Sequence, residues 1–280
     1  MPTAGKSSSH VSGDGSLAKR LASAALLVPA AIAATYAGGA VFAAIVAFAA
    51  IVMVFEWSRM IEGRDFPPVF FGLAGAGAAA FGFAAAGFFV AGYALCGAGA
   101  LAAFMLSLRG AKRPIWAAFG APYILAPSVS LIWLRSDVEN GRALTLMLLV
   151  VVWAADSGGY FAGRLFGGPK MSPTVSPAKT WAGAAGGLLM GAFAGAAFAQ
   201  WIYGDGPLGL YVLAGGLLGL SSILGDMAES AIKRVFGVKD ASQLIPGHGG
   251  ALDRLDGMIF ATTAMTLALF LHMLFRQVQG

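Results

Sequence analysis

Charge is what this sequence has least of. Its 280 residues include 18 Lys or Arg and 13 Asp or Glu, 11% in all, where a soluble domain carries about 25% because its surface faces water. That is too few to cover a water-soluble globule of this size. A disulfide scaffold is excluded by the single cysteine, Cys96. A collagen-like chain is excluded because the 40 glycines follow no three-residue period. Polar low-complexity sequence is scarce too: at 58% hydrophobic residues and a mean hydropathy of +0.78, most of the chain is not disordered. These exclusions leave a multi-span membrane protein, in which each charge is costly to place and therefore informative.

What is present is a series of apolar runs. A spanning helix needs about 20 mostly apolar residues. Runs of that kind occupy roughly 21–37, 40–57, 68–86, 88–108, 114–134, 143–163, 181–202, 207–225 and 258–275. They predict an all-α integral membrane protein, a polytopic bundle of about nine transmembrane helices. The weakest boundary is near Gly87, where no charge separates two runs. The runs are continuous rather than alternating, which argues against a strand barrel. Residues 1–20 are Ser/Gly-rich and polar and are expected to form a flexible cytoplasmic tail. Residues 21–142 form a first set of transmembrane helices, and 143–280 a C-terminal catalytic transmembrane domain. Lys19 and Arg20 precede an apolar run, as in a signal peptide, but that run leads straight into a second and is expected to stay as a span. The Gly- and Ala-rich stretches, such as Gly183–Gly195, are expected to be packing faces, because small residues let helices approach closely in lipid.

The basic residues set an orientation. With the N-terminus inside and nine spans, 15 of the 18 Lys and Arg fall on the inner side, the asymmetry that cytoplasmic loops show. The pI of about 9.5 then needs no nucleic-acid partner, since a basic face toward anionic lipid accounts for it. Two inner segments hold most of the unusual polarity, Asp156–Lys179 and Gly225–Asp256. In the second, Asp226, Glu229, Ser230 and Lys233 fall at i, i+3, i+4 and i+7 and share one helical face. Asp253 and Asp256 are spaced to point together as well. Between them, Pro246-Gly247-His248-Gly249-Gly250 cannot continue a helix, and its backbone N–H groups suit a phosphate. Asp156 interrupts an otherwise apolar run, and an ionisable residue at membrane depth is a functional candidate. Carboxylates bind Mg²⁺ together with substrate phosphates, and cations neutralise the charge that develops in phosphoryl or nucleotidyl transfer. A transporter would also place carboxylates in its spans, with less reason for the accompanying Lys233, Arg234, Lys239 and Arg254.

The run from Ser230-Ala-Ile-Lys233-Arg234 through Lys239-Asp240 to Pro246-Gly-His248-Gly249-Gly250-Ala-Leu-Asp253-Arg254-Leu-Asp256 resembles the signature of the phosphatidate cytidylyltransferases (CDP-diacylglycerol synthases). Asp156-Ser-Gly-Gly-Tyr160 and Ser176-Pro-Ala-Lys179-Thr180-Trp181 resemble two further family segments. Where the family often has Ser-Pro-Lys-Lys-Thr-Trp-Glu-Gly, this chain has Ala178 and Ala182, which leaves Lys179 as the phosphate-binding candidate there and no carboxylate at 182. The resemblance implies transfer of a cytidylyl group from CTP to phosphatidate. It implies metal held by Asp226 and Asp253, with Asp256 and Asp156 as further ligands. Lys233, Arg254 and His248 join these acids in the catalytic set. Lys179, Ser176, Thr180, Arg234, Lys239, Asp240, Gly249 and Gly250 are implied to bind substrate. The implied metal is Mg²⁺, with room for a second ion such as K⁺, and the implied assembly is a homodimer. Several of these residues have plainer readings: Glu229 as an i,i+4 partner of Lys233, Ser176 and Thr180 as caps of the next helix, His248 as a loop hydrogen-bonder. The alternatives are a related CTP-dependent enzyme acting on another lipid, or an ion-coupled transporter. A CDP-alcohol phosphotransferase is disfavoured, because Asp256-Gly257 is not followed by its Ala-Arg pair.

Overall fold

The computed structural model describes residues 13–108, 113–204, 206–242, 244 and 249–279, with side chains from residue 25 onward up to 278. The chain runs as helices α1 (Gly13–Ala37), α2 (Gly39–Glu62), α3 (Pro68–Ala85), α4 (Phe89–Ser107), α5 (Pro114–Gly120), α6 (Ala126–Ser136), α7 (Gly141–Phe166), α8 (Trp181–Tyr203), α9 (Leu208–Val235) and α10 (Leu252–Gln279). A short antiparallel hairpin, β1 (Lys170–Ser172) and β2 (Ser176–Thr180), lies between α7 and α8. Among the described residues eight helical stretches are long and apolar enough to cross a membrane, with α5 through α6 counted as one. The ninth expected span corresponds to α1, whose apolar part is Ala25–Ala37. The protein is thus an all-α, multi-pass membrane protein.

Three boundaries differ from the sequence expectation. First, α1 reaches back to Gly13, into the stretch expected to be tail, because Leu, Ala, Lys and Arg there are good helix formers. Second, α9 runs on to Val235 and α10 starts at Leu252, well beyond the apolar runs, so the charged residues of the second polar segment ride on helical extensions. Third, the span at 114–134 is not one uniform helix. It is α5, a π-helical segment at Ala121–Leu125, and α6. Pro122 and Pro127 cannot donate backbone hydrogen bonds, and widening the turn re-routes the ladder around them. The weak break near Gly87 is a real turn: Gly87 has φ of +88°, which glycine adopts at no steric cost.

The glycines of α8 form a buried stripe at Gly183, Gly187, Gly191 and Gly195. A Cβ on Gly195 would lie 2.5 Å from the Cα of Gly215, and one on Gly191 would lie 3.0 Å from the Cα of Gly219. α8 and α9 therefore touch backbone to backbone, as small residues permit when lipid is the solvent. The apolar core falls into two clusters. The larger joins α2 through α6 and also takes in Ile232, Ala251, Leu252 and Ile259 from the C-terminal half. The smaller joins α7, α8, α9 and α10. The N-terminal helices consequently pack directly on the segment that bears the signature.

Candidate active site

The polar residues meet where α7, β2, α9 and α10 come together. Asp226, Glu229 and Lys233 follow the end of α9's apolar stretch about one turn apart from each other, on a shared face, as helical periodicity requires. Opposite them is the first turn of α10. The two helices approach closely at glycines: a Cβ on Gly225 would be 2.6 Å from the carbonyl oxygen of Asp256, and Gly257 abuts the Ser222 hydroxyl. This crossing brings Asp226, Glu229 and Asp256 together, each offering a carboxylate oxygen within 4.8 Å of the others. Glu229 and Asp256 are buried. Glu229 is ion-paired with Lys233, whose Nζ lies 2.5 Å from Glu229 Oε2 and 2.6 Å from Asp253 Oδ1.

Asp253 stands apart from that trio. Its carboxylate accepts from Lys233, from the N–H of Ala241 at 3.0 Å and from the N–H of Gly250 at 2.8 Å. The Gly250 N–H, expected to serve a phosphate, is thus donated to Asp253. Gly249 has φ of +84°, a backbone conformation that favours glycine. Lys179 on β2 reaches Asp226 Oδ2 at 2.5 Å. The hairpin that carries it is tied to α9 by Arg234, which donates to the carbonyls of Val175 and Val238 at 3.3 and 3.0 Å. Asp156 on α7 is near enough to feel the charges of Asp226, Lys179 and Arg254. Thr180 caps α8: its Oγ1 accepts the Gly183 N–H at 3.1 Å. Ser176 is half-buried on β2, and Lys239 and Asp240 are exposed beyond α9. His248 lies outside the described residues.

Two further residues belong to this region. Glu56 of α2 is fully buried, and its oxygens accept the Ser242 hydroxyl at 2.5 Å, the Ala251 N–H at 3.0 Å and the Leu252 N–H at 2.7 Å. The same signal that singled out Asp156, an acid inside an apolar run, marks Glu56 within 40–57. Tyr123 of the π-helical segment has a buried hydroxyl with no hydrogen-bond partner among the described residues, within electrostatic reach of Glu229, Asp256 and Asp226. No charge pattern in the sequence could have found it.

A sequence model of the cytidylyltransferase family matches residues 18–273. The chain belongs to this family. Among its relatives is the phosphatidate cytidylyltransferase of Brucella suis biovar 1 (strain 1330), 44% identical over 152 residues, 54% of this chain and 56% of the relative. That of Haemophilus influenzae (strain ATCC 51907 / DSM 11121 / KW20 / Rd) is 44% identical over 129 residues, 45% of each chain. That of Mycobacterium bovis (strain ATCC BAA-935 / AF2122/97) is 43% identical over 133 residues, 48% of this chain and 43% of the relative. The matched stretch therefore spans about half the length of these curated relatives. For a member of the cytidylyltransferase family the donor set is apt. Clustered carboxylate oxygens fit a hard divalent cation, and Asp226, Glu229 and Asp256 each offer one within 4.8 Å of the others.

Proposed function

We propose that the protein transfers a cytidylyl group from CTP to phosphatidate, giving CDP-diacylglycerol and pyrophosphate. The observation that carries this reading is the acidic trio Asp226, Glu229 and Asp256, bordered by Lys179 and Lys233, in a chain of the cytidylyltransferase family. A lipid phosphate oxygen attacks the α-phosphorus of CTP, a new P–O bond forms, and the bond to the β-phosphate breaks. Both reactants are anionic, so the chemistry is dominated by charge neutralisation. No general base is needed, because the attacking lipid phosphate is already ionised.

Asp226, Asp253 and Asp256 would hold Mg²⁺, with Glu229 and Asp156 flanking them and a second ion such as K⁺ drawing on the same acids. Bound Mg²⁺ supplies charge neutralisation at the phosphate oxygens and fixes their geometry. Asp253 is able to take this role because Lys233, which it shares with Glu229, keeps a carboxylate partner when Asp253 releases it. Lys179, Lys233, Arg234, Lys239 and Arg254 bind the triphosphate and the lipid phosphate. Ser176, Thr180, His248, Asp240 and Gly249 complete the substrate contacts, while the Gly250 N–H holds Asp253. The site and the N-terminus face the cytoplasm, where CTP is, and phosphatidate enters sideways from the bilayer. The family resemblance also supports a homodimer.

The test is direct. Purified protein with labelled CTP, phosphatidate and Mg²⁺ is expected to make CDP-diacylglycerol. Asp226→Asn is expected to lower the rate by about 10²-fold or more, the scale of losing a group that stabilises transition-state charge. Product only with a different lipid acceptor would move the reading to a related CTP-dependent enzyme. Transport without CTP turnover would sink it.

A further inference from the structure

Glu56 lies far from the signature in sequence and contacts it directly. It sits near the C-terminal end of α2 and is 0% exposed. Among the described residues its partners are a hydroxyl and two backbone N–H groups, all from the segment 242–252. Ser242 Oγ donates to Oε1 at one end of that segment, and the N–H groups of Ala251 and Leu252 donate to Oε1 and Oε2 at the other. One carboxylate thus ties Ser242, midway between α9 and α10, to the start of α10. Leu252 opens α10 and Ala251 immediately precedes it, at the helix start, where donors are unsatisfied and a negative charge is favoured. Gly250 is packed against the same carboxylate: a Cβ there would lie 2.6 Å from Oε1. Any side chain at 250 would therefore press on the Glu56 carboxylate.

The elements fixed in this way bear the site acids. Asp253 is in the first turn of α10, and its carboxylate accepts the N–H groups of Ala241 and Gly250, next to the residues that Glu56 holds. Asp256 follows one turn later and joins the acidic trio. Glu56 is not one of the trio, so it acts through the loop and α10.

We propose that Glu56 is a positioning residue of the cytidylyltransferase site: from the N-terminal helices it ties Ser242 to Ala251 and Leu252, sets where α10 begins, and thereby aligns Asp253 and Asp256 for metal and triphosphate. This inference rests on the functional reading above. Carboxylates that orient ligands from behind are worth roughly 10–100-fold in metal affinity or activity.

Three variants and two readouts test it. Glu56→Gln turns an NH₂ group toward donors, Ser242→Ala removes one of them, and Gly250→Ala presses on the carboxylate from the other side. Glu56→Gln is expected to raise the Mg²⁺ concentration for half-maximal activity and the KM for CTP by about tenfold, with the thermal midpoint in detergent little changed. Ser242→Ala should do the same more weakly. The double variant Glu56→Gln/Ser242→Ala should fall short of the product of the two effects, because both act on one carboxylate. The second readout is chymotrypsin cleavage after Leu244, which is 52% exposed: both Glu56→Gln and Gly250→Ala should accelerate it. Unchanged Mg²⁺ and CTP constants in Glu56→Gln, or a loss confined to folded yield, would overturn the proposal. If wild-type protein makes no CDP-diacylglycerol, the functional reading fails by itself. The cleavage rate then decides on Glu56, and an unchanged rate in both variants overturns the tie it makes.

Discussion

Thr180 shows how a residue with a chemical motif can have a local task first. It follows Ser176-Pro-Ala-Lys179 in a family-like segment and was expected to bind substrate or to cap a helix. Its hydroxyl accepts the Gly183 N–H, one of the donors left open at the start of α8. Thr180→Ala is therefore expected to lower stability by about 1 kcal/mol, read as a drop in thermal midpoint in detergent, while Thr180→Ser keeps most of it. An unchanged midpoint in the alanine variant would remove the capping role. The residues legible in the sequence were those with local causes. Asp226, Glu229 and Lys233 share a face because a helix repeats every 3.6 residues, and the structure keeps them together. Asp253 is legible as an acid but not as the acceptor of Ala241 and Gly250, and Glu56, an acid in an apolar run as Asp156 is, gives no local sign of what it holds. Its partners lie more than 180 residues away in sequence, and no local pattern encodes a contact of that range.

At the level of elements, the apolar runs located nearly every helix, because a run of about 20 apolar residues has few other stable forms. They misplaced the ends of α9 and α10, since polar residues continue a helix once it leaves the hydrocarbon. The hairpin β1–β2 was not foreseen, as three- and five-residue strands carry little periodic signal. The glycine-rich spans were expected to pack, but which helix each would meet depends on the three-dimensional arrangement. The structure pairs α8 with α9 through Gly191, Gly195, Gly215 and Gly219. Gly195→Val puts methyl groups where the Gly215 backbone lies. Overpacking of this kind costs about 1–3 kcal/mol or more when backbone must move. The expected outcome is a lower thermal midpoint and a lower yield of folded protein, with Gly209→Ala as control, since a Cβ there meets nothing within 4 Å. Equal stability of the two variants would count against a backbone-to-backbone seam.

For the whole molecule the question is which ends of the helices share a side. Long-range contacts sort them into two groups. Arg113 donates to the carbonyl of Val235, Arg234 to that of Val175, and Glu56 accepts from Ala251 and Leu252, which gathers the ends near 56–67, 113, 175 and 235–252. Arg135 donates to the carbonyl of Thr35 and Arg142 lies over the Tyr36 ring, which gathers 35–38 with 135–142 at the other end. This grouping is compatible with the alternation that the basic residues imply; that the site end is the cytoplasmic one is part of the proposed reading, which the positive-inside rule supports. The one native cysteine, Cys96, is buried, so introduced cysteines can be read against a quiet background. Asp65→Cys and Lys170→Cys should react with a membrane-impermeant maleimide only from the cytoplasmic side, and Pro207→Cys only from the opposite side. Labelling of Asp65→Cys and Pro207→Cys from the same side would break the alternation. Reversed labelling of all three would keep the alternation and turn the molecule over, placing the proposed CTP site on the side where that nucleotide is absent.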